Sequence, residues 1–233
     1  MNELPTGLSV LFVSITLLTL VGFYWSVRHS SSKRVSRTAP LLLLVLIGWL
    51  TLQAVLSGMG VYSEEMDFLP PRIFVFGLLP CIIVVSMAFI TVAGRRFVDS
   101  LSPEKLTYIH LVRIPVEIGL WWLFLHRTIP ELMTFEGWNF DILAGVTAPL
   151  IIYFGYHRNV ISKRAILGWN VVCLVLVLFI LIIAVLSAPF PLQQLAFEQP
   201  NVGLLHFPFS WLPTFIVPVV VFSHLVSIRQ GMN

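Results

Sequence analysis

A chain of 233 residues that is 58% hydrophobic and only 11% charged lacks the polar sequence to cover a globular surface, since a soluble domain carries about a quarter charged residues. With a mean hydropathy of +0.93 it reads as an integral membrane protein with no room for a separate soluble domain. The net charge of +3 is dispersed between apolar segments and forms no basic stripe interleaved with exposed aromatics, which excludes a nucleic-acid partner.

Crossing the hydrocarbon core takes roughly 20 apolar residues. The first such segment, 8–27, has no basic stretch before it and no small-residue cleavage site before Tyr24-Trp25, so it is expected to be a retained helix and not a signal peptide. Arg28, Lys33, Arg34 and Arg37 follow it. The second segment, 40–59, leads into an acidic loop with Glu64, Glu65 and Asp67 that closes on Pro70-Pro71. The third, 72–92, is followed by Arg95, Arg96 and Lys105. The fourth, 107–125, is interrupted by polar residues, and the fifth, 140–156, is short; Arg158, Lys163 and Arg164 come next. Segments six and seven span 165–186 and 204–228, with Arg229 at the end. Cys81 and Cys173 both fall inside apolar segments and read as small buried hydrophobes, not as a disulfide or metal pair.

The loops set a direction. Of the 14 Lys and Arg residues, all but Arg72, Arg113 and Arg127 fall in alternate connections, which the positive-inside rule assigns to the cytoplasm. The opposite face holds Glu3, Glu64, Glu65, Asp67, Glu131, Glu136 and Glu198. The expectation is therefore an all-α integral membrane protein, a single domain over 1–233. It forms a seven-transmembrane-helix bundle with its N-terminus outside and its C-terminus cytoplasmic. Trp138 and Trp211 fall near the predicted outer boundary and Trp25 and Trp169 near the inner one, where indoles prefer to sit. The compact loops suggest a bacterial inner membrane, with anionic lipids against the basic cytoplasmic loops. Pro80, Pro115, Pro149, Pro213 and Pro218 fall inside the segments and predict bends.

The fourth segment carries the chemistry. In HLVRIPVEIGLWW, His110, Arg113 and Glu117 share a face about 60° wide at about 100° per residue. Trp121 and Phe124 extend that face outward, and Glu117 sits roughly 10 Å beyond His110 at about 1.5 Å per residue. A charge at the bilayer centre costs at least about 2.5–3.5 kcal/mol, so the stripe must face protein or water and its members need partners. Arg113 and Glu117, at i and i+4, are within reach of each other. An internal lock between them and a solvated pathway lined by them are both open readings.

The loop PELMTFEGWNFDILAG, from Pro130 to Gly145, sets Glu136, Asn139 and Asp141 among aromatics. It reads either as a capping segment, with Asp141 at a helix N-terminus that favours a carboxylate, or as an acidic outer vestibule or re-entrant lid. His110, His157 and His224 all fall towards the cytoplasmic ends of their segments; zinc held by these three histidines is a metal-based alternative, although each is solitary in sequence. No other cofactor is expected. A nucleophile elbow and a phosphate-binding glycine loop are both absent from the sequence, and the seventh segment has no lysine for a retinal Schiff base.

These features favour a transporter or channel for a small solute or protons. Its pathway would comprise His110, Arg113, Glu117 and Trp121. A membrane enzyme acting on lipid or quinone at the cytoplasmic leaflet, and a sensor or accessory subunit without turnover, are the alternatives.

Overall fold

A computed structural model describes residues 4–64 and 66–232; Glu3 and Glu65, assigned above to the acidic face, lie outside them. Among the described residues the chain is helix, turn and loop, with no strand. We number the helices α1 (Thr6–Arg28), α2 (Lys33–Gly58), α3 (Phe74–Ile90), α4 (Val92–Ser100), α5 (Pro103–Leu125), α6 (Ile142–His157), α7 (Lys163–Leu186) and α8 (Leu212–Met232). Five of them, α1, α2, α5, α7 and α8, are long and apolar enough to cross a membrane.

Two expected spans take a different form. The third stops at Ile90, and α4 leaves it at 87°. Thr91 makes the break: its backbone is extended (φ −78°, ψ 151°) and its hydroxyl accepts the Gly94 N–H at 3.0 Å, which caps the new helix. Helix α4 then exposes Arg95, Arg96 and Asp99 and buries Val98 and Ser100. The fifth, α6, is shorter than the others. Two boundaries also move. Helix α2 begins at Lys33, well before Pro40, with Ser32 capping its first turn. The seventh segment becomes helix only at Leu212, after a single 3₁₀ turn at Gly203–Leu205.

Helices α5 and α8 form the centre, with α1, α6 and α7 packed round them. Close approach depends on small residues, as it must where apolar neighbours compete with apolar solvent. A Cβ on Gly119 would stand 2.7 Å from the Phe12 ring, and one on Gly145 would stand 2.9 Å from the Ile114 side chain and 3.1 Å from its backbone nitrogen. These contacts bring α1 and α6 against α5. Helices α2 and α3 lie at the periphery; Leu44 and Val84 are 66% and 67% exposed, a surface that suits acyl chains better than water.

The prolines explain how the outer helices attach. A proline has no N–H, so the carbonyl four residues before it loses its helical partner. Pro80 leaves the Phe76 carbonyl to accept from Gln53 Nε2 at 3.0 Å. Pro218 leaves the Thr214 carbonyl to accept from Trp49 Nε1 at 2.9 Å and from the Cys81 thiol at 3.2 Å. Each bend thus becomes an attachment point for a neighbouring helix, and π-helical turns at Phe74–Leu78 and Leu212–Ile216 adjoin the two sites.

Of the four tryptophans placed at the membrane boundaries, Trp25 and Trp138 are exposed. Trp169 and Trp211 instead turn inward, donating to the Thr147 hydroxyl (2.8 Å) and the Leu50 carbonyl (2.9 Å).

Candidate functional site

Helix α5 is not uniform. Pro103–Thr107 is α-helical, Tyr108–Val112 is a 3₁₀ segment and Arg113–Leu125 is α-helical again. Pro115 lies just beyond the tightened stretch, where its missing N–H withdraws a bond from Leu111. In a 3₁₀ segment, residues three apart eclipse, so His110 and Arg113 come closer to one line than a regular helix allows. His110, Arg113 and Glu117 are 0%, 2% and 1% exposed, so the stripe faces protein along its whole length.

Arg113 does not pair with Glu117 as the spacing suggested. Its guanidinium grips Asp141 at the start of α6: Nε donates to Oδ2 at 2.7 Å and Nη2 donates to Oδ1, a two-pronged ion pair. Nη1 faces His224 Nε2 on α8 at 3.0 Å, and Nη2 also reaches the Cys173 carbonyl on α7 at 3.4 Å. Arg113 therefore ties α5 to three other helices. Asp141 makes no side-chain cap to α6, so the capping role expected of it is not taken up; its carboxylate is spent on the guanidinium. Gly145, one turn along, allows this by letting α6 lie against Arg113 Cβ.

The tautomer of His224 follows from its neighbours. Guanidinium groups only donate, so Nε2 must accept; Nδ1 then carries the proton and donates to Asn170 Oδ1 at 2.9 Å. His224 is thus neutral. His110 stacks on it, with ring centroids 3.9 Å apart and planes at 13°, and the edge of Trp169 closes the pair. Both ring nitrogens of His110 are buried with no hydrogen-bond partner among the described residues.

Glu117 has a separate partner. Asn139 Nδ2 lies 2.7 and 2.8 Å from its two carboxylate oxygens and 3.1 Å from the Met133 carbonyl, while Asn139 Oδ1 accepts the Asp141 N–H at 3.0 Å. Asn139 thereby ties the Glu117 carboxylate to the backbone of Asp141, but it brings no charge. Among the described residues no cation lies in ion-pair range of Glu117. A cavity of about 60 Å³ adjoins Glu117, Asn139 and Asp141, its remaining wall apolar.

The three residues assigned to an outer vestibule separate accordingly. Glu136 is exposed on the loop, whereas Asn139 and Asp141 are buried inside the bundle. The loop itself turns inward, burying Thr128, Ile129, Met133 and Thr134, and Gln199 from the segment between α7 and α8 donates to the Ile129 carbonyl at 2.5 Å. Trp121 stacks on Phe135 of this loop at 6.1 Å, its indole nitrogen buried and without a partner among the described residues. The three histidines separate too: His110 and His224 meet, but His157 is exposed and bonds Glu104 at 3.0 Å. Among the described residues no group of three or more His, Cys, Asp or Glu is arranged to hold a metal.

Sequence reading missed the Arg113–Asp141 pair and the Asn139–Glu117 link. The available signal was the shortness of the fifth segment, which draws its N-terminal aspartate down to the level of the stripe. Most other polar side chains in the spans bond within their own helix, such as Thr214 to the Ser210 carbonyl (2.8 Å) and Ser223 to the Val219 carbonyl (2.7 Å). No known protein family, curated protein or solved structure matches this chain.

Proposed function

We propose that this chain is a seven-span membrane protein, N-terminus outside and C-terminus cytoplasmic, that moves protons, alone or coupled to a small solute, in a closed state. The carrying observation is the charge inventory at the site: two buried carboxylates face one guanidinium, and Asp141 holds that guanidinium in both hands. Glu117 is left with an amide for company. An ionised carboxylate without a counter-charge in so dry a place is costly, whereas its protonated form is not. Glu117 is therefore the group that loads and releases a proton. Arg113 and Asp141 set the field it feels, His110 serves as the acceptor on the cytoplasmic side, and Trp121 with the buried loop seals the outer side.

The seven-span reading counts α3 and α6 as short crossings. At about 1.5 Å per residue α6 falls short of a hydrocarbon core about 30 Å thick, and the inward-folded loop before it makes up the difference. Non-helical backbone at membrane depth is tolerated where protein buries it, and helix starts aimed into the interior are a usual way to build transport sites. Helix α4 lies along the cytoplasmic surface, where Arg95 and Arg96, with Arg34 and Arg37, take anionic lipid headgroups. The cavity beside Glu117, about 60 Å³, takes a few waters, each of which needs at least about 10–15 Å³ of such space, so loading a larger solute requires the bundle to open.

The test is proton movement in liposomes containing the purified protein and an internal pH dye, driven by an imposed potassium diffusion potential. Infrared difference spectra between acid and alkaline pH provide a second readout. Wild type should acidify the lumen and show a protonated-carboxyl band; Glu117→Gln should lose both. A wild-type protein with neither flux nor a titrating carboxyl overturns the proposal.

A further inference from the structure

A second cavity, of about 420 Å³, lies between α3 and α7 and is several times the size of the one beside Glu117. It falls in the range of small-molecule sites, about 300–1,000 Å³. Ile82 of α3 and Ile182 of α7 line it and are 49% and 55% exposed, so it opens sideways between the two helices. In a bilayer that mouth faces acyl chains and not water. Leu181, Ala184, Leu204 and Pro213 line this cavity and the Glu117 cavity alike. A single apolar wall therefore stands between the buried carboxylate and a pocket open to lipid.

The pocket has one polar residue among the described residues that line it, Asn201, which is 4% exposed. The orientation of its amide is fixed. Near the end of α7 the Ala188 N–H goes to the Val185 carbonyl, and Asn201 Nδ2 takes up the Ala184 carbonyl at 3.1 Å. A carbonyl only accepts, so the amide cannot be turned round. Oδ1 is left buried with no hydrogen-bond partner among the described residues. What this wall lacks is a donor. The groove beside Cys81, between α2, α3 and α8, is different: the Thr214 carbonyl on its wall is already met by Trp49 and by Cys81.

We infer that the solute coupled to Glu117 is an amphiphile with a long apolar chain and a hydroxyl head, which enters sideways between α3 and α7 and gives its hydroxyl proton to a hydrogen bond with Asn201 Oδ1. The inference rests on the proposed function and names the class of its solute and the side from which it comes. The apolar lining takes the chain, and the one unmet acceptor takes the head. Oδ1 has almost no accessible surface in the closed state, so seating the head goes with a small shift of the wall. That wall is tied to the site. The Asn201 N–H donates to the Ser187 carbonyl at 2.8 Å, and the Val202 and Gly203 N–H groups donate to the Thr128 carbonyl at 3.0 and 2.7 Å. Thr128 opens the loop that carries Asn139 and Asp141 to Glu117 and Arg113. A head group at Asn201 thus bears on the backbone that anchors this loop, and Leu204, three residues on, is part of the shared wall.

The test is photolabelling of the purified protein in liposomes with hexadecanol that carries a diazirine beside its hydroxyl, the adducts being mapped by mass spectrometry. Adducts should concentrate on residues 181–188 and 201–205. Unlabelled hexadecanol should compete about tenfold better than its methyl ether, which has no donor, the ratio expected for one hydrogen bond. Ile182→Trp fills the mouth from an exposed position and should abolish these adducts. Val172→Trp, at a position of the same helix that is 58% exposed and away from the pocket, should keep them. Hexadecanol, and not the ether, should also shift the infrared carboxyl band that Glu117→Gln removes. Adducts spread evenly over the lipid-facing sides of α2 and α3, or equal competition by alcohol and ether, overturn the inference; so does a labelled pocket with an unmoved Glu117 band. In each of these cases a wild-type protein that still moves protons leaves the proposed function standing. A wild-type protein with neither flux nor a titrating carboxyl overturns both.

Discussion

The Arg113–Asp141 pair supports a quantitative test. Asp141→Asn keeps the shape of the side chain and removes its charge. Arg113, 2% exposed, is then a buried cation whose remaining partners are neutral: His224 at 3.0 Å and the Cys173 carbonyl at 3.4 Å. Removing one member of a buried ion pair costs about 3–5 kcal/mol because the other charge stays buried and unmatched. Removing both with apolar groups of similar volume is often neutral or stabilising. Arg113→Met with Asp141→Leu should therefore recover most of what Asp141→Asn loses. Equilibrium unfolding of wild type, Arg113→Met, Asp141→Leu and their double in mixed micelles, followed by tryptophan fluorescence, gives the coupling energy from one cycle, with Asp141→Asn measured beside it. A change within about 0.5 kcal/mol for Asp141→Asn, the size of an ordinary surface substitution, would show that the pair is not buried as described. A double variant as damaged as the sum of its singles would refute the claim that the two charges exist for each other.

Gly145→Ala places a methyl 2.9 Å from the Ile114 side chain and 3.1 Å from its backbone nitrogen; the same unfolding measurement should show a loss of about 1–3 kcal/mol, typical of overpacking, and an unchanged midpoint would contradict the close approach of α6 to α5. Asn139→Leu removes the donor shared by both Glu117 oxygens and the acceptor of the Asp141 N–H. Each buried group left unmet costs about 1–3 kcal/mol, and protease cleavage between residues 127 and 141 should become faster. At the C-terminal end of α8, Arg229 holds Asp99 through hydrogen bonds of 2.7 and 3.1 Å, and those bonds keep the Asp99 carboxyl below its ordinary range. A lowered folded value means the tie is fully present above the unfolded value of about 3.9 and is lost as pH falls through the folded one. Amide-exchange protection in the last turn of α8, taken relative to the intrinsic rate at each pH, should thus be flat from neutral pH down to about pH 4 and fall below it, and it should be weakened by salt because both groups are partly exposed; protection lost already near neutral pH would show that the tie does not hold the turn.

The amino-acid sequence alone determined that this is an all-α chain with long apolar helices, and that one helix carries His110, Arg113 and Glu117 on a single face. Both follow from local rules: a helix closes its own backbone hydrogen bonds, and its face is set by rise and turn per residue. The sequence also marked Pro80 and Pro218 as bends, but not the side chains that meet the carbonyls they free. The tertiary structure decided everything that depends on who stands opposite. Arg113 chose Asp141, 28 residues away, over Glu117 one turn away, and His110 met His224 on another helix. Nearest in sequence failed there because a shortened α6, admitted by Gly145, brings a carboxylate to the guanidinium where both its prongs can be met. Helix shape is written in steps of three and four residues, whereas charge pairing in a dry interior is settled by which helices can approach closely enough to desolvate the pair together.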